Sequence, residues 1–259
     1  MAFGGYGTGS GGSGKRRAPL HVDQRTAIIV VVVVAIVIIL LRTHRIDSFE
    51  IIYFCALIPS IILHEISHGV VALAFGDDTA KRAGRLTLNP IKHVDPVGTL
   101  LVPAILSLSG LGAYGWAKPV PVATNRLRSP RNHTVLVSLV GPLTNFALAA
   151  LLGVVFVATA STGSRQALSL GFYPPNLFGQ ILFIAGLANI VLGLFNLIPC
   201  PPLDGAAVLE RLLPARMLPN YYRLQPALMF LPFILILLVR NQWGQLLSHV
   251  IGWWAGMLG

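Results

Sequence analysis

The sequence predicts an all-α polytopic membrane protein: six transmembrane helices with a cytoplasmic-side re-entrant segment containing short β-strands. Three observations predict it. Of 259 residues, 54% are hydrophobic and only 11% charged, and the mean hydropathy is +0.73, so one soluble core could not cover the apolar surface. The apolar residues are gathered into runs at 26–41, 49–75, 135–160, 177–198, 226–239 and 243–258. The loops between these runs divide the basic residues unequally. With six spans, one side holds all of the 19 lysines and arginines except Arg42, Arg45, Arg165 and Arg240. A seventh crossing at 97–111 would leave the two sides nearly equal, so the bias of cytoplasmic loops toward Lys and Arg favours six spans with both termini cytoplasmic.

In chain order, residues 1–25 are a flexible Gly/Ser-rich tail, and 26–259 form a single transmembrane domain. Lys15, Arg16, Arg17 and Arg25 precede the run at 26–41, which resembles a signal peptide but lacks a small-residue cleavage site before Arg42; it reads as a membrane anchor. The second run ends at Gly76-Asp77-Asp78, a helix stop. The alternation from Gly84 to Pro90 suggests a short strand. The run at 97–111 contains Pro103 and would extend only about 22 Å as a helix, so it dips into the membrane without crossing it. Residues 115–122 form a second extended piece, with Pro119 and Pro121 suited to a sheet edge. The re-entrant segment thus covers about 84–122.

The net charge of +10 does not indicate nucleic acid, because the basic residues flank apolar runs instead of forming a stripe interleaved with aromatics. The partner they indicate is the lipid bilayer. Cys55 and Cys200 lie in apolar surroundings and give no disulfide framework.

Ionisable groups are costly inside an apolar helix, and the second run carries three of them within five residues, His64-Glu65-Ile66-Ser67-His68. The i, i+4 spacing puts both imidazoles on one helix face, able to close on one Zn2+ ion, with Glu65 beside them as a base. A catalytic zinc takes three protein ligands and leaves a fourth position open. Of the remaining acidic residues, Asp95, Asp204 and Glu210 are placed to reach the histidines, and Asp204 shares their depth in the six-span arrangement. Asp204-Gly205 can equally be read as a helix N-cap after a proline-rich turn.

These motifs together resemble the site-2 protease family of intramembrane zinc metalloproteases, in its compact form without a PDZ domain. The resemblance rests on His64-Glu65-Ile66-Ser67-His68, on Gly141-Pro142-Leu143-Thr144-Asn145, and on Asn196, Pro199, Asp204 and Gly205, found in the family's order. It implies that His64, His68 and Asp204 hold one catalytic zinc and that Glu65 is the general base. It also implies a transmembrane substrate protein cut within or near its membrane segment, in regulated intramembrane proteolysis at a bacterial cell membrane; the regulator is not written in the chain. Asn145 is the first candidate to stabilise the oxyanion and Asn196 the second, since an amide donates without bringing charge. Arg85, Leu86, Thr87 and Leu88, with 120–122, could offer a strand edge to an extended substrate. His93 and His133 are expected at the membrane interface. The alternatives are a metal transporter, which would need ligand stations along a path, and an inactive homologue that binds membrane segments, against which the intact Glu65 argues.

Overall fold

The computed structural model describes residues 48–93, 95, 118–229, 231–238 and 240–259. The expected tail, the run at 26–41 and the run at 97–111 lie outside them. In chain order the helices are α1 (Ser48–Ala74), the single turn α2 (Thr79–Arg82), α3 (Pro130–Thr159), α4 (Thr162–Ser169), α5 (Leu177–Asn196), α6 (Gly205–Leu212), α7 (Leu218–Leu228), α8 (Leu231–Leu238) and α9 (Arg240–Leu258). Among the described residues, α1, α3 and α5 are long and apolar enough to cross a membrane. The expected run at 226–239 falls instead into two shorter helices, α7 and α8. Pro232 has no N–H to bond back along a helix and so sits naturally at the start of α8.

Helices gain little from leaving lipid for one another, so close packing and polar contacts must hold the bundle together. α5 is its centre, with Leu182, Phe183, Ile184, Leu187 and Ile190 buried against α3 and α9. Trp254 of α9 enters this core and donates its indole N–H to the Phe183 carbonyl at 3.0 Å. Large apolar side chains such as Ile51 and Ile58 of α1 and Leu143, Leu151 and Val154 of α3 remain exposed, as expected of surfaces that face lipid.

The contacts fix the helix directions. Later residues of α1 lie beside earlier residues of α3, His68 at Val137 and His64 at Asn145, so the two run antiparallel. α5 runs with α1, since Asn189 meets Ser60 and the chain after α5 meets His64. The Arg128 N–H donates to the Phe75 carbonyl at 3.0 Å. The end of α1 and the approach to α3 therefore lie at one end of the bundle.

At that end α1 stops where the sequence predicts, with Gly76 at a φ of +106°. Asp77 then braces the loop: it accepts from the Thr79 N–H at 3.0 Å, from the Thr79 hydroxyl, and from the Ala123 N–H at 2.6 Å. Burial pushes its carboxyl up, but these donors outweigh it and hold the group below the usual carboxylate range.

The expected strands are absent: Arg85 to Leu88 and Val120 to Val122 form no ladder among the described residues. Arg85 is buried and crosses between the two segments, donating through Nη2 to the carbonyls of Lys118 at 2.6 Å and Pro119 at 3.3 Å. A guanidinium thus joins the segments where main-chain pairing was expected. His93, expected at the interface, is buried with its Nε2 2.8 Å from the Thr87 carbonyl. Its main-chain carbonyl accepts from the Lys118 N–H.

Candidate metal centre

His64 and His68 sit one turn apart on α1, both buried, with ring centroids 4.7 Å apart and planes at 85°. Two glycines make room for the third group. Gly141 of α3 faces the rings: a Cβ there would lie 2.5 Å from His68 Cε1 and Nε2 and 2.6 Å from His64 Cε1. Gly205 opens α6 against the end of α5, where a Cβ would run into the main-chain carbonyls of Leu197 and Ile198. This close approach brings Asp204, immediately before it, to the histidines.

Asp204 stands at the N-cap of α6, but its side chain makes no capping bond. Its Oδ2 is 3.0 Å from His64 Nε2 and its Oδ1 3.4 Å from His68 Nε2. The ligand atoms of the three residues lie within 4.8 Å of one another, and no other such group of His, Cys, Asp or Glu occurs among the described residues.

The hydrogen bonds on the far sides of the rings set their protons. His68 Nδ1 is 2.6 Å from the Val137 carbonyl, which can only accept, so Nδ1 carries a hydrogen and, in the neutral ring that a metal requires, Nε2 presents the lone pair. His64 Nδ1 is 2.6 Å from Asn145 Oδ1, with the same result. In the neutral rings two bare nitrogens then face the buried carboxylate of Asp204. Lone pairs converging in a buried site need a positive charge between them, a proton or a metal ion. A tetrahedral zinc with bonds of about 2.1 Å requires ligand atoms roughly 3.4 Å apart; the two imidazoles meet different oxygens of the carboxylate at 3.0 and 3.4 Å, and all the ligand atoms lie within 4.8 Å of one another. The donor set of two neutral imidazoles and one carboxylate fits zinc.

Glu65 is half-buried on the same helix, and its Oε2 accepts the Val120 N–H at 2.7 Å. The expected strand segment at 120–122 thus supports the carboxylate instead. Among the other expected site residues, Asn145 is fully buried with Oδ1 on His64 and Nδ2 on Asn189 Oδ1 at 2.9 Å. Asn196 bonds back to the Leu192 carbonyl of its own helix. Leu86 packs at Gly69 beside Val120, the Thr87 hydroxyl accepts from the Asn89 N–H, and Leu88 is 69% exposed. Asn189, Ser60 and the Val120 N–H were missed from sequence. A signal existed for Asn189, an isolated amide in the apolar run of α5; nothing in the sequence marks a main-chain N–H.

The sequence profile of peptidase family M50 matches residues 173–239, which include Asp204 and its flanking motif. Over 168 residues the chain is 42% identical to a Bacillus subtilis protein named "Putative zinc metalloprotease YwhC", covering 61% of this chain and 67% of that one. Over 204 residues it is 35% identical to "Putative zinc metalloprotease Rip2" of Mycobacterium tuberculosis, covering 77% of this chain and 68% of the relative. No solved structure matches it.

Proposed function

The chain belongs to peptidase family M50, the site-2 protease family, and from that premise we propose that it is an intramembrane zinc metalloprotease. Its substrate is a membrane protein, cut within or next to a transmembrane segment. The observation that carries the reading is the convergence of His64, His68 and Asp204 within 4.8 Å beside Glu65. Zinc is the cofactor that the relatives' names state.

His64 Nε2, His68 Nε2 and one Asp204 oxygen are the ligands. Bound there, zinc supplies a Lewis acid that polarises the scissile carbonyl and acidifies the attacking water. Glu65 does the proton work. The Val120 N–H holds its Oε2, leaving Oε1 to take a proton from the water as its oxygen attacks the carbonyl carbon. When the C–N bond breaks, Glu65 returns that proton to the departing amine nitrogen. The positive-inside distribution supports a site near the cytoplasmic end of the bundle with both termini in the cytoplasm, in a six-span arrangement.

The test is reconstitution in lipid with a single-span substrate protein, comparing wild type with Glu65→Gln. Cleavage by the wild type that falls at least ~10²-fold in the variant, with zinc content unchanged, is the expected result. Equal cleavage by both proteins refutes the role of Glu65. Zinc flux into vesicles without any cleavage would identify a transporter.

A further inference from the structure

Behind His64 a line of side-chain amides runs across all three membrane-length helices. His64 Nδ1 on α1 meets Asn145 Oδ1 on α3 at 2.6 Å. Asn145 Nδ2 donates to Asn189 Oδ1 on α5 at 2.9 Å. Asn189 Nδ2 donates to the Ala185 carbonyl and to Ser60 Oγ, each at 2.9 Å, and the Ser60 hydroxyl donates to the Ala56 carbonyl at 2.7 Å. Asn145, Asn189 and Ser60 are all buried, so water does not complete the line.

The line has one direction, and a main-chain carbonyl sets it. The Ala185 carbonyl can only accept, so the Asn189 atom beside it must be the NH2 group. That fixes Asn189 Oδ1 toward Asn145, which must then present its own NH2 there and its Oδ1 to His64. His64 Nδ1 must therefore carry a hydrogen, and in the neutral ring Nε2 is left bare toward Asp204. Without Asn189, Asn145 could rotate its amide and offer NH2 to the imidazole, which favours the tautomer with its hydrogen on Nε2, where the metal should bind. His68 needs no such relay, because its Nδ1 meets a main-chain carbonyl directly.

We propose that Asn189 is a positioning residue for the zinc ligand His64: acting through Asn145, it fixes the imidazole tautomer that leaves Nε2 free for the metal, with Ser60 anchoring Asn189. This rests on the zinc reading of the His64, His68 and Asp204 group. It assigns Asn145 to orienting a ligand, and not to the oxyanion.

The test is zinc affinity, measured by competition with a chromophoric chelator on the full-length protein in detergent. Asn189→Leu is expected to weaken zinc binding about 10-fold or more, the usual effect of losing an outer partner of a ligand. The same substitution made in an Asn145→Leu background is expected to add less than about 2-fold, because the relay is already broken. An amide that merely ties helices together would give costs that add, or would lower thermal stability and leave zinc affinity unchanged; either result overturns the proposal. Should Asn189→Leu fail to fold, Asn189→Ala is read the same way: a loss of affinity that is absent in the Asn145→Leu background supports the relay, and unchanged affinity overturns it. Failure of the wild type to bind zinc would overturn the metal site itself, which distinguishes that failure from failure of the relay.

Discussion

Gly141→Ala tests the geometry of the centre with one methyl group. The added carbon would lie 2.5 Å from two atoms of the His68 ring and 2.6 Å from His64 Cε1, against an optimal contact of roughly 3.5–4.0 Å. About 1 Å must be recovered. The main chain of α3 can supply little of it, because Pro142 and Asn145, which follow Gly141 on the helix, are fully buried. The rings must therefore move, and a zinc site tolerates only about 0.2 Å in its bond lengths. A misplacement of about 1 Å at reacting groups costs on the order of 10²-fold in rate, so cleavage should fall by at least that factor and zinc affinity should fall with it. Purified Gly141→Ala would be assayed for bound zinc by elemental analysis, for cleavage in lipid, and for helix content by circular dichroism. Helix content should be unchanged. A folded variant with full zinc and full activity would show that Gly141 does not crowd the ligands, and the site geometry described above would be wrong.

Three further outcomes follow from the same contacts. Asp204→Ala should abolish stoichiometric zinc, and the rise in thermal stability that zinc gives the wild type, about 2.7 kcal/mol at a hundredfold excess over Kd, should be missing; a zinc-dependent shift that survives would point to another third ligand. Arg85→Met should slow cleavage with zinc content intact, because the guanidinium holds the Lys118 and Pro119 carbonyls and so the Val120 N–H on Glu65; unchanged activity would separate this strap from the chemistry. Asp77→Ala should destabilise the protein by about 1–3 kcal/mol at neutral pH through loss of its charged hydrogen bonds. Because the folded carboxyl titrates below its ordinary value, that stabilisation is complete above a pH of about 4 and disappears as pH falls through the lower folded value. Thermal unfolding from pH 7 to pH 3 should show the two proteins converging on the acid side, and a gap that widens in acid would reverse the sign of the shift.

The centre was legible in the sequence because its chemistry follows spacing. Two histidines four apart on an apolar helix share a face whatever surrounds them, and so few acidic residues are present that the third ligand could be sought by elimination. The strands were misread for a physical reason. Alternation from Arg85 to Leu88 matches a strand, but a ladder needs N–H groups along a shared edge. Pro119 and Pro121 point to the same edge and have none, while Val120, pointing the other way, gives its N–H to Glu65. Neither edge of that segment is free to pair. Asp204 shows the opposite difficulty: an Asp-Gly step before a helix is what a capping residue looks like. Only the contact of Gly205 with the end of α5 shows why this carboxylate turns away from its own helix.

The buried polar side chains of the bundle also discriminate between protease and transporter. Within α1, α3 and α5 they are Ser60, His64, His68, Asn145 and Asn189. His64, Asn145, Asn189 and Ser60 form one unbroken line of hydrogen bonds, and His68 joins it through Asp204. A polar group inside an apolar helix bundle is costly unless it is bonded. A conduction path would distribute such groups along the membrane normal so that a cation could step between them. Here, among the described residues, only His64, His68 and Asp204 form a group that could hold a metal ion, and Ser60, Asn145 and Asn189 are bonded to one another and to main-chain carbonyls. Among the described residues that arrangement offers a cation one place, which is what the proposed hydrolytic site requires.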